Sequence, residues 1–179
     1  MMKRLYAALF ICTLFSVSLI GCTDYGVTNK QAMERVGEPT VNDSSHSYVN
    51  DQYGFRFSLP ETWKDYSIVT GMWEGLAAGG EAGETTVETG PMISIRHPQW
   101  TPQNQRQDIP IMIFTLDQWN SLLNGKFHIG AAPVEPTELG RNRNYVFALP
   151  ARYNNAFPQG YEEVEEIIKG NPLHPIQNK

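Results

Sequence analysis

The sequence contains little cysteine and little charge. Only two of its 179 residues are cysteine, too few for a disulfide framework. Charged residues make up 18% of the chain, and 19 acidic side chains outnumber 14 basic ones. The resulting net charge of −5 excludes a generally basic nucleic-acid-binding protein. The sequence also shows no internal repeat of solenoid length. What is present, an aromatic content of 11%, favours one folded domain over wholesale disorder.

The first 22 residues have the zones of a secretory signal. Two basic residues precede an apolar run from Leu5 to Ile20, which is shorter than the roughly 20 residues that span a bilayer. Leu19-Ile20-Gly21-Cys22 closes the run and resembles a bacterial lipobox, whose cysteine sulfur receives a diacylglycerol before cleavage. We therefore expect residues 1–21 to be a lipoprotein signal peptide and Cys22 to be lipidated. A plain signal peptide with a chance cysteine and an uncleaved anchor are the alternatives.

Cleavage before Cys22 would change the chemistry of the chain. It would leave 12 basic side chains against 19 acidic ones, a side-chain charge of −7. With Cys22 acylated, no free thiol would remain, which excludes cysteine catalysis, disulfides and cysteine-bound zinc. Negative charge disfavours adhesion to anionic lipid headgroups, so the acyl chains are the expected link to the membrane. The predicted location is the extracytoplasmic face of the cell membrane.

The chain after the signal divides into a polar segment and a domain. Residues 22–50 are expected to form a lipidated polar tether, in which His46 is solvated and Gln31 to Val36 make at most one helical turn before Gly37. Residues 51–179 are expected to form a single α+β domain.

Alternating and continuous apolar patterns predict the elements of this domain. Two segments are apolar on both faces, which is typical of central strands. Thr115 and Gln118 have capping-box spacing and predict the start of a helix. The predicted strands are Tyr53–Leu59, Tyr66–Leu76, Met92–His97, Lys126–Ala131 and, apolar on both faces, Ile109–Phe114 and Tyr145–Leu149. The fold class that follows is α+β, with a mainly antiparallel sheet sandwiched with helices.

The last predicted helix extends from Tyr161 to Lys169. Its apolar residues share one stripe, which we expect to lie against the sheet. They are Tyr161, Val164, Ile167 and Ile168. The remaining positions carry four glutamates, which we expect to face water: Glu162, Glu163, Glu165 and Glu166.

One segment resembles a known family. The aromatic strand, proline and Trp-Lys turn of residues 53–64 (YGFRFSLPETWK) resemble the opening of PsbP-like domains in bacterial lipoproteins. The likeness extends loosely over residues 53–169, and the chain is also similar to uncharacterised lipoproteins of Gram-positive bacteria. This resemblance implies an α/β/α sandwich that acts as a binding or assembly module without catalytic residues, and it transfers no site residue.

The candidate binding residues lie where the third predicted strand ends. Arg96, His97 and Trp100 are followed by Arg106, and loops at strand ends often carry binding groups. Arginine beside an exposed tryptophan is suited to a carboxylate, a sugar ring or a partner chain. In the alternative interpretation, Trp100 covers the core and Arg96 is merely solvated. His128, next to another predicted strand, completes the set of candidates.

Catalytic motifs are absent from the sequence. It has no Gly-x-Ser-x-Gly elbow and no His-Glu-x-x-His pair, so we expect no enzyme, metal or cofactor. The expected function is a lipid-anchored extracytoplasmic binding or assembly module of the bacterial cell envelope. Its expected partners are the membrane, through the anchor, and another envelope protein, but no nucleic acid. The rival hypothesis is a cell-envelope hydrolase or metal-dependent enzyme that uses His97 and His128.

Overall fold

Nine strands and two α-helices form in the part of the chain that the computed structural model describes, which is residues 46–78, 85–130 and 134–177. A 3₁₀ turn, Glu61–Trp63, follows the second strand. In chain order the elements are β1 His46–Asn50, β2 Phe55–Leu59, β3 Ser67–Ala77, β4 Thr86–Arg96, β5 Ile109–Thr115, α1 Leu116–Leu123, β6 Phe127–Ile129, β7 Thr137–Arg141, β8 Tyr145–Leu149, α2 Tyr161–Lys169 and β9 Leu173–Pro175.

The strands form two antiparallel sheets. One has three strands in the order β1-β2-β9, and the other has six in the order β6-β3-β4-β5-β8-β7. The two segments that are apolar on both faces are β5 and β8, which lie inside the larger sheet. Ile111 and Ile113 of β5 face one core, and Met112 and Phe114 face the other. The prediction of two central strands is therefore confirmed.

The six-stranded sheet separates two apolar cores. On one face the core is closed by α1, through Trp119 and Leu122. On the other face it is closed by the three-stranded sheet together with Val164 of α2. The structure is thus a mixed fold with mainly antiparallel sheets and two helices, as expected. It agrees only in part with an α/β/α sandwich, because one outer layer contains three strands as well as a helix.

The boundary predicted between tether and domain at residue 50 is wrong. Residues 46–50 form β1, and His46 lies opposite Leu59 in the pairing with β2. Tyr48 packs edge-on against Phe55, with ring centroids 5.7 Å apart. A polar strand of five residues gives no apolar period, so its pairing with β2 was not visible in the sequence. The signal peptide, Cys22, the turn predicted at Gln31 to Val36 and the rest of the tether lie outside the described residues.

The helices follow their sequence signals with one exception. In α1 the Thr115 hydroxyl accepts from the Gln118 backbone N–H, and the Gln118 side chain accepts from the Thr115 N–H, which confirms the capping box. In α2, Val164 is fully buried, but the solvent exposure predicted for Glu163 and Glu165 is wrong. Both are half-buried, and Glu165 accepts from the Asn154 side chain at 2.7 Å. No helix of the described residues has the length and apolarity to cross a membrane.

Candidate functional site

The candidate site lies between the 3₁₀ turn and α2. Pro60 ends β2 in an extended conformation, and the turn that follows buries the Trp63 ring at 1% exposure. The ring of Trp63 meets that of His97 edge-on, with centroids 5.0 Å apart. The aromatic turn that the sequence shows after β2 thus fixes the end of β4, where the candidate binding residues begin.

His97 is a buried, neutral member of this site. It is 4% exposed, and its Nδ1 accepts from the Gln99 backbone N–H at 3.1 Å. Burial lowers the pKa of His97, the positive charge of Arg106 lowers it further, and the Glu163 carboxylate opposes both. The imidazole is therefore uncharged at pH 7, and its remaining hydrogen is on Nε2.

Arg106 and Glu163 connect the loop after β4 to α2. The Arg106 guanidinium donates to Glu163 Oε2 at 3.3 Å and to Gln99 Oε1 at 3.2 Å. Glu163 also accepts from the Thr62 hydroxyl at 2.7 Å, while Arg106 Nε is buried without a hydrogen-bond partner among the described residues. A cavity of about 180 Å³ lies among these side chains and His97. The cavity is polar and close to neutral overall, because one guanidinium and one carboxylate offset each other.

A larger groove adjoins this polar cavity, and Thr62 and Glu163 line both. Its volume is about 530 Å³. Its walls are mainly apolar, and they include Leu59, Pro60, Ile167 and Pro172. The carboxylates of Glu163 and Glu166 lie along α2 at this groove; Arg106 and Thr62 donate to Glu163, and exposed Lys169 pairs with Glu166.

The other candidates at the end of β4 satisfy one another. Arg96 donates to both carboxylate oxygens of Asp108, at 2.8 Å and 3.2 Å, and this pairing raises the pKa of the guanidinium. Its Cζ atom lies 3.9 Å from the centroid of the Trp100 ring. The expected meeting of arginine and tryptophan is present. However, Arg96 already has partners inside the protein, in the Asp108 carboxylate and the Trp100 ring.

His128 belongs to a different part of the sheet. It lies opposite Leu76 at one end of β3, whereas Arg96, next to His97, lies opposite Ser67 at the other end. Nine residues of strand separate the two positions, roughly 30 Å. The hypothesis of one catalytic or metal site that uses both histidines is therefore wrong. Within the described ranges, no group of three or more His, Cys, Asp or Glu side chains is placed to hold a metal ion.

The sequence analysis missed Thr62, Gln99 and Glu163 as site residues. Glu163 and Arg106 are separated by 57 positions, and no short-range pattern reveals such a contact. One local signal exists in Gly160, which precedes α2 with φ of 81°. A Cβ atom there would lie 3.0 Å from Arg106 Nη2, so the glycine admits the guanidinium.

Comparison with known proteins gives no relative for this chain. No family model, curated protein or solved structure matches it. Functional inference therefore depends on the geometry of the cleft and on the motifs of the sequence.

Proposed function

We propose that this chain is a lipid-anchored, non-catalytic binding or assembly module on the extracytoplasmic face of a bacterial cell membrane. The observation that carries the proposal is the lipobox-like Leu19-Ile20-Gly21-Cys22 at the end of an apolar run. An adjoining pair of cavities between the 3₁₀ turn and α2 supports the binding role. Grooves with apolar walls and a few polar groups are the usual form of binding sites.

Lipid attachment is tested by labelling cells with radioactive palmitate. The full chain is expected to carry label, and Cys22→Ser is expected to lose both the label and the membrane attachment. Cys12→Ser is the matched control, since Cys12 lies inside the apolar run and is removed with the signal peptide. Label that persists in Cys22→Ser would contradict the anchor.

We also propose that the domain is a PsbP-like α/β/α sandwich in which one helical layer is supplemented by strands. The motif of residues 53–64 supports this reading. The positions of α1 and α2 on opposite faces of the six-stranded sheet support it as well.

The groove along α2 is the proposed binding site, and an envelope protein is the proposed partner. Its apolar walls suit an apolar side chain, and the exposed Glu166 carboxylate, whose partner Lys169 is also exposed, suits a flanking lysine or arginine. The mature side-chain charge of −7 favours a basic segment of the partner for the same reason.

This binding is tested with two synthetic peptides that carry one leucine, flanked by lysines in the first and by glutamates in the second. Calorimetry is expected to show binding of the lysine peptide only, weakened by salt. Glu166→Lys is expected to weaken it, because it reverses a charge at the groove. Glu162→Lys, on the same helix but outside the groove, is the control. Equal binding of both peptides would overturn the proposed site.

A further inference from the structure

The six-stranded sheet has one long edge without a neighbour among the described residues. β4 pairs with β3 along nearly its whole length, but β6 pairs only with Gly75, Leu76 and Ala77. On the β6 side, the stretch from Ser67 to Glu74 therefore has no strand beside it in the described ranges. An edge of this kind presents a row of backbone donors and acceptors to another chain.

From Ser67 to Met72, the side chains of this edge are exposed and uncharged. Ile68 is 36% exposed, Val69 is 37% exposed and Met72 is 60% exposed. The acidic residue of the edge, Glu74, lies after buried Trp73, and the register irregularity lies farther on at Gly75 and Leu76. Residues 67–72 therefore contain no lysine, proline, acidic residue or bulge that would discourage strand pairing.

The opposite edge of the same sheet is protected. β7 has five residues, and Glu138 and Arg141 form an ion pair along it. A register shift between Glu138 and Gly140 interrupts its pairing with β8. In addition, Leu173 and Pro175 cover it at Gly140. Charge, a bulge and a covering strand are the devices that keep an edge from pairing with another molecule.

The three-stranded sheet does not cover the whole of β3. It ends at β1, and a cleft of about 580 Å³ lies between Tyr48 of β1 and the Thr70–Met72 stretch of β3. Thr70 and Met72 lie opposite Ile93 and Pro91, so they belong to the core-facing side of the sheet but extend past its cover. The unpaired edge and the uncovered face therefore coincide.

We propose that this edge pairs with β3 of a second copy of the chain, antiparallel and about a two-fold axis. Each mature copy would carry a side-chain charge of −7, and the uncharged residues 67–72 let two acidic copies meet without like charges facing each other at the contact. A two-fold contact requires a self-complementary strand. With the axis at Thr70, each Ile68 lies opposite the Met72 of the other copy, which gives two apolar cross-strand pairs. The two larger sheets then form one sheet of twelve strands.

The possible registers of the paired β3 strands determine which position a charged substitution must occupy to test the pairing. A two-fold axis perpendicular to the sheet keeps each side chain on its own face, so paired residue numbers have an even sum. Registers centred within one residue of Thr70 place the two Thr70 side chains opposite each other or two positions apart on the same face. Like charges at Thr70 therefore repel in these registers.

The test uses two differently tagged full-length copies, co-expressed and purified together from detergent-solubilised membranes. The unaltered pair is expected to co-purify. Thr70→Lys in both copies is expected to lower recovery about tenfold through like-charge repulsion. Thr70→Lys paired with Thr70→Glu is expected to restore it. Thr137→Lys, at an exposed threonine of the protected β7 edge, is the matched control and leaves recovery unchanged.

The proposal has clear contrary outcomes. Absence of co-purification for the unaltered pair overturns it. Unchanged recovery with Thr70→Lys in both copies also overturns it. So does a failure of the Lys–Glu pair to restore recovery. Circular dichroism of each variant shows whether a loss reflects unfolding, and the mixed pair restores recovery only if both variants are folded.

Discussion

The two faces of the six-stranded sheet are closed in different ways. On the α1 face, Trp119 and Leu122 come from one short helix that directly follows β5, and its cap is made by its own neighbours Thr115 and Gln118. On the other face, the cover is assembled from two parts far apart in sequence, β1 with β2 and α2 with β9. Polar side chains connect these pieces, as Glu163 does between Thr62 and Arg106.

This difference indicates where binding is possible. The single amphipathic helix α1 closes its face mainly with apolar contacts, and a cavity of about 240 Å³ lies beside Leu122 and Phe127 there. A cover made of separate elements leaves gaps between them, and the groove and the polar cavity at α2 are such gaps. Two of the three buried side-chain atoms that lack a partner in the described residues, Trp63 Nε1 and Arg106 Nε, belong to residues of this region. The α1 face thus supplies stability, and the α2 face supplies the candidate site.

The largest expected effect comes from the face of the six-stranded sheet that α1 covers. Trp119 is 4% exposed and packs against Phe114 with ring centroids 5.3 Å apart. Trp119→Ala is expected to cost about 3–5 kcal/mol of unfolding free energy, because the cavity does not collapse fully. Thermal denaturation should show the loss, whereas calorimetry with the lysine peptide should show unchanged affinity at a temperature where the variant is folded. Loss of peptide affinity would mean that the two faces are coupled.

Local sequence signals were sufficient for the elements that have an apolar pattern of their own and insufficient for the short edge strands β1, β7 and β9. The period of β2, the two-sided apolar character of β5 and the capping box before α1 all act over a few residues, and each predicted its element. β1, β7 and β9 have no apolar period of their own and become strands because a neighbour offers backbone partners. Glu163 has the pattern of a solvated helix position and is half-buried only because Arg106 approaches it in space.

A buried asparagine is expected to give the next largest effect. Asn142 is 8% exposed, and its amide donates to the carbonyls of Tyr53 and Gly54 at 2.8 Å and 3.0 Å. Its oxygen accepts from the N–H groups of Asn144 and Tyr145, both at 2.9 Å. It thereby joins the turn before β2 to the turn before β8.

Asn142→Ala leaves buried backbone groups without partners and is expected to cost about 2–4 kcal/mol. Urea denaturation measures the change. Asn120→Ala, at an exposed position of α1, is the matched control and should cost less than about 0.5 kcal/mol. Equal effects would show that the turn connection is unimportant and that the two sheets are held by apolar packing alone.

The glutamates of α2 provide a sharper test of the comparison. Glu163→Ala leaves Arg106, whose side chain is only 14% exposed, without its carboxylate partner. We expect a loss of about 1–2 kcal/mol, at the lower range for charged hydrogen bonds because Glu163 is partly solvated. Glu166→Ala should cost less than about 0.5 kcal/mol, since Glu166 pairs only with exposed Lys169. If the two variants were equally stable, the contacts of Glu163 with Arg106 and Thr62 would not stabilise the position of α2.

The smallest expected effect is a pH dependence that arises at His97. Its folded-state pKa lies below the ordinary value of 6.5, first because of burial and then because of Arg106. As the pH falls through about 6.5, His97 binds a proton in the unfolded chain but remains mostly unprotonated in the folded protein. Stability from this group is therefore fully present above that pH and decreases on acidification.

Urea midpoints at about pH 7.5 and 5.5 measure this dependence while avoiding the usual carboxylate range. The midpoint of the unaltered protein should fall between the two values, and His97→Gln should show a smaller fall. His128→Gln, which alters a half-buried histidine of β6 opposite the far end of β3, should keep the original fall. A Glu163 variant tests the cause of this dependence, because the Glu163 carboxylate raises the pKa of His97 whereas burial and Arg106 lower it. Glu163→Ala should therefore steepen the fall, and a shallower fall would show that the carboxylate does not act on the imidazole.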